Sequence, residues 1–408
     1  MSEWKECKLG DISKVQTGPF GSQLHQSDYK AVGTPIITVE HLGDNRIVYS
    51  NLPLVGDLDR ERLIKYILKE GDVVFSRVGS VDRCAYVHKE EDGWMFSGRL
   101  LRVRAQDNIV NSRFLSFYFS QESFKGTIRM IAVGATMPSI NTQILSNVVI
   151  VLPPLPEQRA IAGVLSSLDD KIDLLHRQNK TLEGMAEALW WKMFVEEADS
   201  GWKKGKLGDM IITIESGRRP KGGIDPSLQF GIPSIGAENI IGIGNYEHNK
   251  TKYVSEEFYY KMNSGKVQDY DILIYKDGAY IGRKSMFARG FPFKQCCVNE
   301  HVFILRTKDI NAQIFLYFLL DQEELEQLNA NSAQPGLNQE SMKSFEIFIP
   351  DEIYIEKFGI ETKAIIDKIF FNSIQIRTLS KIRDTLLPKL MSGEIRIKNA
   401  EKFIGGLV

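Results

Sequence analysis

The chain has 408 residues, of which 43% are apolar and 25% charged, and a formal net charge of −1; this is the composition of an ordinary globular protein with room for two or three domains. No run of 18 or more apolar residues occurs and the opening MSEWKECKLGD has no apolar core segment, so neither a membrane span nor a signal peptide is expected. The near-zero charge excludes a uniformly basic nucleic-acid binder, so any DNA-binding surface has to come from local clusters of Lys and Arg.

Residues 1–152 read as a first mixed domain of about 150 residues, a normal size for one core. Short β-branched runs at Ile36 to Val39, Val73 to Phe75, Leu101 to Val103 and Val148 to Leu152 are bounded by Gly, Asn and Asp and predict strands. The spacing from Ser112 to Ile131 predicts a helix with Phe114, Leu115, Tyr118 and Phe119 on one side. Cys7 and Cys84 here, with Cys296 and Cys297 later, form no CxxC pair; reduced thiols and a cytoplasmic setting are the default.

Pro153, Pro154 and Pro156 then stop a strand and open a long helix, because the missing proline N–H is tolerated in the first helical turn. Over 153–196 the positions Ile161, Leu165, Leu168, Ile172, Leu175, Asn179, Leu182, Ala186, Leu189 and Met193 alternate steps of four and three, and only Asn179 is polar. That is the repeat of a coiled coil, roughly 48 Å long at ~1.5 Å per residue, and its stripe needs a partner.

The rest of the chain supplies it by repetition. Trp4 and Leu9-Gly10-Asp11 match Trp202 and Leu207-Gly208-Asp209; Gly33 to Ile37 matches Gly231 to Ile235; Val39-Glu40 matches Ala237-Glu238. Gly71-Asp72 matches Tyr270-Asp271, Arg77-Val78-Gly79 matches Lys276-Asp277-Gly278, and Val149 to Pro153 matches Glu346 to Pro350. The offset stays near about 198 residues, drifting by only two, as in a tandem duplication. A second domain therefore spans 197–350, with a helix from Ala312 to Leu328 as the counterpart of 112–131. A second long helix spans 351–396, and a tail 397–408. Its seam is Phe358, Thr362, Ile365, Ile369, Asn372, Ile376, Leu379, Arg383, Leu386 and Leu390. The expected fold is α/β: a duplicated mixed α/β domain plus a long helix, the two long helices pairing as an antiparallel coiled coil. With flush ends Asn179 faces Asn372, a device that fixes coiled-coil register at some cost in stability.

The segments PPLPEQRAIAGVLSSLDDKIDLL and LLPKLMSGEIRI, the openings WKECKLGDI and WKKGKLGDM, and the central GDVVFSRVG and YDILIYKDG resemble those of the specificity subunit of type I restriction-modification enzymes. The resemblance covers essentially the whole chain and is specific in combination, although LxGD or PEQ alone is common. It implies that each domain is a target-recognition domain reading one half of a split double-stranded DNA sequence. The paired helices would space the half-sites, which lie ~34–36 Å apart per turn of B-DNA. It also implies docking of two modification (methyltransferase) subunits and of restriction subunits, and no chemistry in this chain; docking faces left uncovered when the partners are absent would leave self-association possible. Docking contacts are expected at Pro156, Glu157 and Gln158; PDEIYIEKFG departs from that pattern at the second helix start.

Phosphates call for Lys, Arg and backbone N–H groups, and base edges for Arg, Lys, Asn, Gln or Ser. The candidates are Gly18, Ser22 and Gln23 with their counterparts Arg218, Arg219 and Lys221; Arg77, Ser80 and Arg83 with Lys276, Tyr280, Arg283 and Lys284; and Arg99. The loops after the aligned strand, at Arg77 and Lys276, are the strongest. No cofactor, metal ligand set or catalytic residue is expected: GxxxxGK[ST], GxGxxG, DPPY-like, HxxxH and GxSxG patterns do not occur. Pro350-Asp351 with Glu361 and Lys363 mimics a PD…ExK nuclease, but Glu361 and Lys363 fall inside the heptad helix on different faces. The competing reading is a duplicated scaffold that binds protein and no DNA.

Overall fold

Two stretches of this chain build one domain plan twice. The computed structural model describes residues 4–278, 281–322 and 336–397. It divides into two compact units, one made of residues up to Asp170 together with those from Ser380 onward, the other of Lys171–Leu379.

In the first unit Ser13–Thr17, Leu100–Ala105, Val73–Ser76 and Cys84–Tyr86 form an antiparallel sheet in that spatial order. Val73, Val74 and Phe75 are all buried. Val74 packs with Ile36 and Phe96 of a smaller sheet on one side, while Phe75 meets Phe119 of a helix on the other, ring to ring at 4.9 Å. A strand covered on both faces reads as a continuous apolar run instead of an alternation. The smaller sheet is Tyr29–Lys30, Leu54–Val55, Thr34–Ile37 and Met95–Phe96, with Ile36 parallel to Met95. Lys5–Lys8 pairs with Val149–Leu152, so the start of the chain is stitched to the strand that precedes the first long helix.

The single helix expected over 112–131 is two, Ser112–Ser120 and Glu122–Ile131, broken at Gln121 with φ −64° and ψ 139°. Ser120 Oγ donates to the Phe117 carbonyl at 2.8 Å and Gln121 Nε2 to the Tyr118 carbonyl at 3.2 Å, replacing bonds the helix would have made. Phe119 and Phe124 close over the break with centroids 4.7 Å apart.

The second unit repeats this plan. Ile211–Ser216, Val302–Thr307, Asp271–Tyr275 and Lys284–Phe287 form its main sheet, Lys252–Val254, Ile232–Ile235 and Cys297–Val298 the smaller one, and Lys203–Lys206 pairs with Glu346–Ile349. Its counterpart helix is Ile310–Gln322; the remainder of the stretch expected to reach Leu328 lies outside the described residues. The constant offset needs one correction. Ser97 N donates to Ile37 O and Asn299 N to Ile235 O, so Arg99 corresponds to His301, about four residues off the mean repeat. A longer connection before Cys297–Val298 in the second unit and a longer loop at 106–110 in the first cancel each other downstream.

The long helices are Leu155–Trp191, followed by a π turn at Lys192–Glu196, and Glu352–Met391, with Pro388 in its last turn. Every expected seam position is buried or half-buried. In the first unit Ile161, Leu165 and Leu168 of one helix and Leu386 and Leu390 of the other are buried. There Arg383 Nη1 meets Asp169 Oδ1 at 2.9 Å and Arg396 Nη1 meets Glu157 Oε1 at 2.5 Å. In the second unit Asn372 Nδ2 donates to Asn179 Oδ1 at 2.9 Å, while Phe358 packs on Phe194 at 5.5 Å. In each unit one helix number rises as the other falls, which is antiparallel pairing. Ile366 and Phe370 are buried as well, because the second helix also lies in one core with Ile272, Phe291 and Phe315 of its own unit.

Candidate nucleic-acid interface

Equivalent backbone bonds build equivalent loops. Arg77, just past the end of Val73–Ser76, donates its N–H to the Arg99 carbonyl at 2.8 Å and receives the Ile140 N–H at 2.9 Å. Lys276 donates to the His301 carbonyl at 3.1 Å and receives the Leu337 N–H at 2.7 Å. A third wall is the turn after the strand Thr34–Ile37. Fully buried His41 fixes it, its Nδ1 accepting the Thr38 N–H at 3.0 Å and its Nε2 lying 2.8 Å from the Ser50 carbonyl. Nδ1 as acceptor puts the ring proton on Nε2. In the second unit Asn239, also fully buried, accepts the Gly236 N–H at 3.1 Å. Both turns present a glutamate, Glu40 or Glu238.

These walls enclose a cleft of about 880 Å³ in the first unit, lined by Phe20, His25, Thr38, Glu40, Arg83, Ser97 and Arg99 among others. The equivalent cleft of the second unit, about 690 Å³, is lined by Arg219, Glu238, Lys252, Tyr275, Asp277, Asn299, Glu300 and His301 among others. Their charge differs. Among the described lining residues, Arg83 and Arg99 face one carboxylate, Glu40, in the first. In the second, Arg219 and Lys252 face Asp225, Glu238, Asp277 and Glu300. Burial works against the charge on Glu238, but the hydrogen bond from Lys252, at 2.6 Å, a backbone hydrogen bond and the charges of Lys252 and Lys250 together hold the carboxyl below its ordinary value. Guanidinium, amide and carboxylate groups at the mouth of a cleft are the groups that meet phosphates and base edges.

The expected residues fall into three groups. Arg83, Arg99 and Arg219 line the clefts. Beside the first cleft, Arg77 Nη1 donates to the Gly98 carbonyl at 3.3 Å with its guanidinium 5.7 Å from the Phe20 ring, and Ser22 and Ser80 are exposed. Gln23 is half-buried, its Oε1 accepting from Tyr66 at 2.8 Å. In the second unit Arg218, Lys221 and Arg283 are exposed and Lys276 Nζ sits 4.8 Å from the Phe303 ring. Tyr280 lies outside the described residues.

Two of the expected DNA contacts are corrected. Lys284 is buried, pairs with Asp321 and lies 4.3 Å over the Tyr317 ring, so its ammonium faces a helix of its own domain. Gly18 is buried too: a Cβ there would stand 2.2 Å from the Ser97 carbonyl, so the glycine serves close backbone packing. Gln158, expected at a docking surface, is 2% exposed. It accepts the Asn111 N–H at 2.9 Å and donates to the Pro153 carbonyl at 2.8 Å, tying the 106–110 loop to the first long helix. The second unit has a shorter loop there. Gln313 of its own helix closes it, accepting the Thr307 N–H at 2.7 Å, and the place of Gln158 is taken by buried Ile355. The nuclease mimic resolves into helix surface: Glu361 is exposed and Lys363 Nζ pairs with Asp367 at 2.8 Å.

Sequence reasoning missed His25, Glu40, Glu238, Glu300 and His301. The repeat already aligned Glu40 with Glu238, and that pairing of one charged turn in both copies was the available signal. His301 was hidden by the local change of offset.

Residues 1–184 and 199–374 each match the type I restriction modification DNA specificity domain family. The chain is 26% identical to the type I restriction enzyme MjaIX specificity subunit of Methanocaldococcus jannaschii, over 97% of this chain and 94% of that one. It is 23% identical to the HindI specificity subunit of Haemophilus influenzae, over 97% of this chain and all of that one. Among solved structures, the S subunit of a type I restriction-modification system from M. genitalium has the same fold, with a TM-score of 0.60 at 15% identity over 95% of this chain and 96% of that one.

Proposed function

The chain belongs to the type I restriction modification DNA specificity family and is a specificity subunit; on that premise we propose that each cleft reads one half of a split duplex target. The first reader is residues 1–152 and the second 197–350. The cations beside each cleft and at its rim hold phosphates, and the other residues lining it meet base edges. The observation that carries this reading is the set of equivalent backbone bonds at Arg77 and Lys276, and at Ser97 and Asn299, combined with the different linings of the two clefts: one scaffold, two sets of reading groups. The chain works in the cytoplasm without catalysing a reaction, and it docks two modification subunits and restriction subunits that supply the chemistry.

The test is methylation-site sequencing of DNA from cells carrying the chain with its modification subunit, beside cells lacking the chain. A chain-dependent motif in two specified parts separated by unspecified bases is the expected result. A single continuous motif contradicts two readers. Methylation that does not depend on the chain favours a scaffold without DNA recognition.

A further inference from the structure

The two clefts differ in charge at one pair of equivalent positions, Gly98-Arg99 in the first unit and Glu300-His301 in the second. Where the first cleft has no side chain, the second has a carboxylate. Its surroundings are unusual. Arg219 Nε lies 2.6 Å and His301 Nε2 3.3 Å from Glu300 Oε1. Yet both carboxylate oxygens are shielded from water and neither has an aligned hydrogen bond. His301 is turned by Asp277, whose Oδ2 is 2.7 Å from Nδ1. Arg219 itself is 59% exposed, on a loop at the rim.

Resting on the reading of the clefts as DNA readers, we infer that Glu300 is a specificity-determining residue of the second cleft, selecting a C·G pair, and that Arg219 masks it until DNA arrives. An ionised carboxylate only accepts hydrogen bonds. In the major groove the cytosine N4 amino group donates, while guanine offers the acceptors O6 and N7. Facing a phosphate, the exposed guanidinium of Arg219 moves to the stronger field and leaves Glu300 without its cation. A cytosine amino group then replaces that cation. A base offering acceptors leaves a bare carboxylate near phosphates, which is rejection by repulsion. The first cleft, with Arg99 and no acid at that place, carries the opposite preference, for the acceptors of guanine.

The test reads the methylated motif, and the methylated fraction of sites that differ from it by one base, in cells carrying the full chain as wild type, E300Q or R219Q with its modification subunit. In the wild type one specified position of one half-site is a C·G pair that E300Q relaxes: methylation of sites altered there rises roughly tenfold, and the other half-site keeps its stringency. R219Q lowers methylation overall and keeps the C·G requirement. Unchanged stringency in E300Q overturns the inference, as does relaxation at an A·T position or equally in both half-sites. Loss of all methylation by E300Q at an unchanged melting temperature also overturns it, because removing a repelling charge should strengthen DNA binding. If E300Q lowers the melting temperature, E300A is read by the same criteria. A wild-type chain on which no methylation depends refutes the reader assignment itself, a result separate from all of these.

Discussion

Asn372 Nδ2 donates to Asn179 Oδ1 at 2.9 Å, joining the two long helices within the second unit. Asn372 is fully buried and its own Oδ1 has no partner, while Asn179 Nδ2 reaches Ser373 Oγ at 3.1 Å. An incompletely satisfied polar pair inside an apolar seam specifies register more than it stabilises. N179L alone should cost about 1–3 kcal/mol, because Asn372 is left buried without an acceptor. N179L combined with N372L should recover most of that loss. Denaturant unfolding of the two single variants and the double variant measures the coupling; additive losses would contradict a paired role.

Tyr270 occupies a left-handed conformation, φ 68°, at the place where the first unit has Gly71 at φ 91°. For a residue with a Cβ that conformation costs ~1–2 kcal/mol. The ring is held by its hydroxyl, which donates to Asp367 of the second long helix. Y270F should therefore keep the strain, lose the bond and destabilise by about 1 kcal/mol. G71A should destabilise by a similar amount, about 1 kcal/mol or more, with its new Cβ 3.1 Å from Ser112 Oγ. Unfolding midpoints of the two variants check both figures.

Asp367 gathers Tyr270, Arg289 and Lys363, with Arg289 Nε at 3.0 Å and Lys363 Nζ at 2.8 Å. Burial opposes its charge, but hydrogen bonds from Arg289, Lys363 and Tyr270 hold its pKa well below the usual carboxylate range. A depressed folded pKa means that the unfolded chain binds the proton first. The stabilisation is thus complete above the ordinary carboxylate value of ~3.9 and is lost as pH falls below it toward the folded value. Wild-type stability should drop more steeply than that of D367N as pH falls from about 5 to about 2. Parallel curves in pH-dependent denaturation would contradict this.

Much of the architecture is legible in the sequence because repetition reports it twice. The seam from Ile161 to Met193, its partner from Phe358 to Leu390, and the facing of Asn179 by Asn372 all follow from spacing. What sequence could not supply are features set by three-dimensional closure. The break at Gln121 depends on two side chains capping a helix end that spacing alone runs through. Gln158 looked like a docking residue because it sits in a distinctive motif, whereas its burial follows from a loop that the first unit alone has to close. Lys284 looked like a phosphate contact because it follows Arg283 in a basic loop. Strand pleating turns such neighbours to opposite faces, and the inward one is Lys284. The carboxylates of the second cleft escaped notice because a search for DNA contacts among cations passes over acidic groups.

Separate reading by the two clefts is tested most directly by the methylation motif of cells carrying R99Q. Arg99 is exposed, lines the first cleft and is distant in sequence from every residue of the second. The predicted result is a half-site that loses stringency at one guanine-containing position, with the other half-site and the gap unchanged. Equal relaxation of both half-sites, or an unaltered motif, would contradict the assignment of one half-site to each cleft.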